Sequence, residues 1–240
     1  MRKSEFVTVT EKPAAKYLEW ASEQGKFKYY DKDKKENVLI DIPRFLVLMQ
    51  FHTVKGWNDA SQSAVYSNEV KIIGTQEMEV KSFKGGPIAK GLYKDIKEKI
   101  VQAGGHYTKS VYIMTESGDV WNLQMKGAVV QEWGEAFNKC QGRFADEWVK
   151  LDKVDKRKKG RVEYTVPMFK FDGVTSDSES ALADKSYDAL AERLQIRDDE
   201  REKLPADPID LKSKQMGNIE SNFLEDAISD MAPDDDDLPF

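Results

Sequence analysis

Asn37-Val38-Leu39-Ile40-Asp41-Ile42, a single Pro43, and then Arg44-Phe45-Leu46-Val47-Leu48-Met49-Gln50-Phe51-His52-Thr53-Val54 form an almost continuous apolar run. Its β-branched and aromatic content predicts strand rather than helix. A run this long predicts a strand that bends and is shared between two sides of a barrel. Alternation puts Phe45, Val47, Met49 and Phe51 on a core face and Leu46, Leu48, Gln50 and His52 on the other.

Upstream, Pro13 with Tyr17, Leu18, Trp20 and Ala21 predicts a short helix ending near Gly25. Lys26-Phe27-Lys28-Tyr29-Tyr30 alternates bases with aromatics, which suits an edge strand with lysines in water and also suits nucleic acid. Downstream, residues 57–70 predict a polar loop around Trp57, followed by strands near 69–73 and 77–83. Pro87, Ile88, Leu92, Ile96, Ile100 and Gly104-Gly105 predict a helix with one apolar face. Residues 106–114 and 120–126 predict a hairpin around Glu116-Ser117-Gly118-Asp119. Val130, Trp133 and Phe137 predict a second helix, and residues 148–154 and 161–171 predict two more strands around a basic turn at 156–160. Seven or eight strands with two inserted helices predict a mostly β, mostly antiparallel fold. On this pattern a barrel, a sandwich and another α+β arrangement are equally open.

Charge is unevenly spread. The whole chain carries −6, yet residues 1–170 hold 30 Lys and Arg against 23 Asp and Glu, whereas 171–240 hold 7 against 20. A basic body joined to an acidic tail points to a polyanion ligand on the body. Because the excess on the body is modest, any such footprint depends on local clustering. Cys140 is the one cysteine, which excludes a disulfide framework and a cysteine-built zinc site and suits a reducing cytoplasm. No apolar stretch is long enough for a bilayer, and the Met-Arg-Lys start lacks the apolar run of a signal peptide, so no membrane partner is expected.

The chain ends Asp234-Asp235-Asp236-Asp237-Leu238-Pro239-Phe240. Four adjacent carboxylates cannot pack into a core, and Leu-Pro-Phe behind them has no chain left with which to bury itself. Such a tip suits a partner offering an apolar pocket for Phe240, a cation for its α-carboxylate and a basic rim for the aspartates. These seven residues resemble the C-terminal tip of bacterial and phage single-stranded-DNA-binding proteins. The resemblance implies an OB-fold body that binds single strands without sequence preference, and a tip that recruits replication, recombination and repair enzymes. The expected architecture is then an enlarged OB-fold-like antiparallel barrel over 1–171, a polar linker with one helix over 172–218, and an amphipathic segment with a disordered acidic tip over 219–240. A body of 170 residues departs from the much shorter domain of the tetrameric bacterial members. The expected origin is therefore a phage protein acting in the host cytoplasm, its oligomeric state unassigned.

Binding single strands needs cations for phosphates and flat rings for bases. The basic turn Lys156, Arg157, Lys158, Lys159 and Arg161 is the first phosphate candidate, with Lys55, Lys71, Lys81, Lys84, Lys109 and Lys126 near strand ends. Trp57, Tyr66, Phe83, Tyr107 and Tyr112 are the candidates for stacking. No cofactor or metal is expected, and no catalysis: nucleotide-binding P-loop, serine-hydrolase and zinc-protease motifs are all missing. The enzyme alternative is a metal-dependent nuclease using Asp59 with Glu79 and Lys81, since an acidic residue ahead of Glu-x-Lys on a strand resembles that pattern. A third reading is an adaptor that uses the tip alone and binds no DNA.

Overall fold

The computed structural model describes residues 12–140 and 146–199. In chain order, β1 (Lys16–Ala21), β2 (Lys26–Asp31) and β3 (Glu36–Ile40) lead into the long β4 (Arg44–Asn58). Then come β5 (Ser63–Ser67), β6 (Met78–Ser82), β7 (Gly86–Gly91) and α1 (Tyr93–Gln102). The hairpin β8 (Gly105–Thr115) and β9 (Val120–Met125) precedes α2 (Ala128–Lys139), and β10 (Glu147–Lys159), β11 (Val162–Val174) and α3 (Asp177–Asp199) complete the described chain. The fold is mostly β, as expected, but the described residues hold eleven strands and three helices.

All strands belong to one mixed sheet that runs β3-β2-β1-β9-β8-β4-β5-β6-β7 and branches at β4 to β10 and β11. Every ladder is antiparallel except β1 with β9. The branch curls the sheet into a barrel-like body. Phe45 of β4 faces Thr115 of β8 on one side and Val149 of β10 on the other. At the far end β11 meets β1 through side chains: Trp20 Nε1 donates to the Thr165 carbonyl at 2.8 Å, the Thr165 amide donates to Ser22 Oγ at 3.1 Å, and Thr165 Oγ1 donates to the Ser22 carbonyl. Leu18, Phe45, Val47, Val54, Val111, Ile113, Leu123, Val149 and Val166 fill the interior. Trp133 of α2 inserts between Phe45 and Phe169, and its indole N–H donates to Gln50 Oε1 at 2.9 Å, so this helix closes one end of the core.

Several expectations fail for identifiable reasons. The predicted first helix is β1; its buried Leu18 and Ala21 lie three apart, which mimics helical spacing, but the backbone pairs parallel to β9. Residues 87–91 form the edge strand β7 instead of opening the helix, and α1 starts at Tyr93. Pro87 is tolerated there because an edge strand has one unpaired side. The polar loop expected at 57–70 is shorter, since β4 continues through Asn58 and β5 begins at Ser63. The strand expected at 69–73 reduces to one bridge between Val70 and His52.

The alternation assigned to β4 breaks at a register shift between Val47 and Met49. Phe45 and Val47 face the barrel interior while Phe51 packs outside with Leu46 and Leu48. A bulge inserts one residue and thereby swaps the two faces. The outer apolar face is covered by α3, whose Leu190 and Leu194 are buried against it. That helix opens with a capping box in which the Ser176 amide donates to Glu179 Oε2 at 2.8 Å and the Glu179 amide donates to Ser176 Oγ at 3.4 Å. The boundary expected at 171 therefore moves: β11 extends to Val174 and α3 packs on the body. The segment 219–231 and the acidic tip lie outside the described residues.

Candidate nucleic-acid interface

A groove of about 1040 Å³ crosses the mouth of the barrel. One wall is β4 and β5, with Lys55, Trp57, Ala64 and Tyr66; the floor takes His106 and Tyr107 of β8 and Gln124 of β9, followed by Lys126. The opposite wall is β1, its turn and β2, with Glu19, Trp20, Ser22, Glu23 and Lys28, together with Tyr164 and Thr165 of β11. Register explains why these side chains converge. Lys55 stands directly opposite Tyr66 on β5 and His106 on β8, and Glu19 stands opposite Lys28 on β2 and Gln124 on β9. Opposed residues project to one face, so each ladder contributes a polar row. Lys126 reaches Glu19, Nζ to Oε1 3.5 Å.

Of the residues expected from sequence, Lys55, Trp57, Tyr66 and Lys126 meet in this groove, and the buried Tyr107 borders its floor. Trp57 is 52% exposed, which is a large apolar surface left in water by a strand that is otherwise well covered. Phe83, Lys84 and Lys81 stand nearby on the β6–β7 hairpin; Phe83 is 76% exposed and Lys81 pairs with Glu79 at 2.9 Å. Sequence reasoning missed Ala64, His106 and Tyr164 here. Lys28 belongs to the basic-aromatic alternation at 26–30, which suits both an edge strand and nucleic acid; it was not singled out as a contact, and that alternation was the available signal.

Other expected residues are buried or lie elsewhere. Tyr107 and Tyr112 are core rings: Tyr107 packs edge-on to Tyr93 and bonds His52 Nδ1 through its hydroxyl at 2.5 Å, and Tyr112, 1% exposed, packs on Phe51 and donates to Glu69. Neither presents a face to a base. Lys109 is half-buried with Nζ 3.4 Å from His52 Nε2. Lys71 borders a separate depression beside Leu48, Met49 and Tyr187, away from the groove.

The basic turn is not a turn. Strand β10 carries on through Lys159, so Lys156, Arg157, Lys158 and Lys159 alternate along a hairpin arm and only Gly160 and Arg161 make the connection. Arg157 points to α2 and binds Glu132 at 2.5 Å and Asp155 at 3.3 Å. Burial pulls its guanidinium pKa down, but the hydrogen bonds and charges of Glu132 and then Asp155 outweigh that and hold it above the ordinary value. It anchors the hairpin and is engaged away from any phosphate. Lys156 is exposed, and Lys158 lies 3.9 Å from Glu163. The hairpin adjoins the groove through Tyr164, which stands opposite Arg157.

The nuclease constellation is pulled apart by the ladder. Asp59 follows the end of β4 at the level of Ser63, whereas Glu79 sits beyond the Ser67–Val80 pair, where its amide donates to Asn68 Oδ1. Five strand residues at ~3.3 Å each separate those levels, roughly 16 Å, too far for one metal ion. Among the described residues no helix is long and apolar enough to cross a membrane. Comparison with protein families, curated proteins and solved structures finds no match for this chain.

Proposed function

We propose that this protein binds single-stranded DNA without sequence preference, serves the DNA replication, recombination and repair of a phage, and recruits partner enzymes through Asp234 to Phe240. The observation that carries the reading is the composition of the barrel-mouth groove: Lys28, Lys55 and Lys126 interleaved with Trp57, Tyr66 and Tyr164. Cations beside flat rings are what a single strand requires.

The strand connections support an OB-fold reading of the barrel. Strand β4 neighbours β8 and β10, β8 neighbours β9, α2 lies between β9 and β10, and β10 neighbours β11. Those are the neighbour relations of a five-stranded Greek-key OB barrel, with β1 inserted between the third and fifth strands. In that fold oligonucleotides lie across the second and third strands, between the first and last connecting hairpins. Here the corresponding parts are β8 and β9, the 59–104 insertion and the β10–β11 hairpin, and the groove is lined from all three. The seven-residue tip, outside the described residues, supports partner recruitment by its resemblance.

The test is the affinity of the full chain, and of a chain ending at Met231, for fluorescent oligo-dT at several salt concentrations. Salt-weakened binding to the single strand and not to duplex, equal or tighter after truncation, is expected. Absence of binding by both forms at low salt refutes the reading and leaves the adaptor alternative.

A further inference from the structure

Two exposed aromatic side chains stand in one cross-strand row outside the barrel interior. Trp57 of β4 lies opposite Ala64 of β5. The Phe83 amide donates to the Ala64 carbonyl at 2.9 Å, which carries the β5–β6 ladder one pair beyond Val65 and Ser82. Opposed residues share a face, so the row reads Trp57, Ala64, Phe83, with the small exposed alanine between two rings. Two strand spacings set the outer backbones about 10 Å apart. A flat ring held between two others at contact distance needs their planes about 7 Å apart, which side chains leaning inward across that gap can provide.

We propose that Trp57 and Phe83 clamp one nucleobase over the methyl group of Ala64, an inference that rests on the single-strand reading above. The neighbouring row has the inverse arrangement. Lys55, Tyr66 and Lys81 lie opposite one another, about 7 Å along the strands, with the large ring in the middle and cations outside. A base in the slot therefore has its flanking phosphates beside Lys55 and Lys81, the latter giving up Glu79.

Both jaws are held before any ligand arrives. The Trp57 amide donates to the Gly104 carbonyl at 3.0 Å and Asn58 Nδ2 donates to the Ala103 carbonyl at 3.0 Å. The approach requires glycine, since a Cβ at Gly104 would lie 2.0 Å from the Trp57 carbonyl oxygen. On the other side the Ser61, Ser63 and Ser82 hydroxyls bond one another and accept the amides of Lys84 and Gly85, fixing the hairpin that carries Phe83. Rings held in place lose little entropy on binding.

The test uses the full chain, with anisotropy on fluorescent oligo-dT and on an abasic oligonucleotide of the same length. Trp57→Ala and Phe83→Ala are each expected to weaken oligo-dT binding about 5- to 150-fold, the range for one stacked base, and to leave the abasic strand unaffected. The double variant is expected to lose less than the product of the singles, because both rings hold the same base. Ala64→Leu, which fills the slot and spares both rings, is expected to reproduce the loss. Unchanged oligo-dT affinity in the variants, or an equal loss on the abasic strand, overturns the clamp while the single-strand reading stands. A wild-type chain that fails to bind oligo-dT overturns both.

Discussion

Glu19 is the anion in the middle of the proposed DNA path, and Glu19→Gln tests that path directly. Its carboxylate lies 3.5 Å from Lys126 Nζ and stands across the ladder from Lys28. A phosphate entering the groove competes with Glu19 for Lys126 and is repelled by whatever charge stays behind. One unit charge at about 4 Å in a water-like medium is worth ~1 kcal/mol, about fivefold in affinity at low salt, less as salt screens it. Replacing Glu19 by glutamine keeps its size and hydrogen-bonding reach while deleting the charge. The expected result is about fivefold tighter oligo-dT binding at roughly 50 mM salt, converging on wild type toward 1 M, where the Debye length is only ~3 Å. Fluorescence anisotropy over a salt series measures it. Unchanged or weaker binding at low salt refutes the argument, because it shows that no phosphate passes Glu19.

Further outcomes follow from the packing. Arg157→Met strands the Glu132 carboxylate, whose side chain is 4% exposed; removing one partner of a buried pair costs ~3–5 kcal/mol, and the 29% exposure of Arg157 reduces this to ~2–3 kcal/mol, read as a lower urea midpoint that a second change, Glu132→Leu, largely restores. Leu190→Ala, at a fully covered position of α3, is expected to cost ~2–4 kcal/mol in the same assay; an unchanged midpoint shows that the helix does not belong to the body. The Ser176 amide and then its hydroxyl hold the Glu179 carboxyl below its ordinary 4.5, so its contribution is present above that value and lost as pH falls through the depressed one. Glu179→Gln is accordingly expected to lower the urea midpoint near neutral pH and to match wild type in strong acid.

What was legible in the sequence was the material of the barrel. The apolar run at 44–54, the hairpin at 106–126 and the Val130, Trp133, Phe137 stripe became β4, β8 with β9, and α2. What failed depended on partners distant in the chain. Tyr17, Leu18 and Trp20 look helical by spacing, and only the neighbouring β9 makes them a strand. Phe51 changes face because of a bulge whose cause is the pairing with β8, which no local pattern records. Arg157 is indistinguishable from the lysines around it until α2 brings Glu132 beneath it. The same holds for the site: Lys55, Trp57, Tyr66 and Lys126 were named singly, but their convergence, and the slot made by a small residue between two large ones, exist only in the register.

That register also sets how the proposed binding would divide between charge and stacking. The groove offers Lys28, Lys55 and Lys126 as cations and carries Glu19 and Glu23 as anions, so its own net charge is small. These three lysines and Lys81 beside the proposed clamp neutralise at most about four phosphates, and each phosphate contributes ~0.7 to the slope of log affinity against log salt for a single strand. The expected slope is therefore about −3 at the steepest, and a substantial affinity must persist at high salt, supplied by rings such as Trp57 at ~1–3 kcal/mol per stacked base. Lys55→Gln is expected to flatten the slope by ~0.7, whereas Trp57→Ala lowers affinity and leaves the slope unaltered. A measured slope steeper than about −4 contradicts this division, because more cations than the groove contains would then be in contact with the strand. The exposed lysines of the β10 arm, Lys153, Lys156 and Lys158, are the nearest such supply. If neutralising those three flattens the slope and Lys55→Gln does not, the strand runs along the hairpin arm and the barrel-mouth path is wrong.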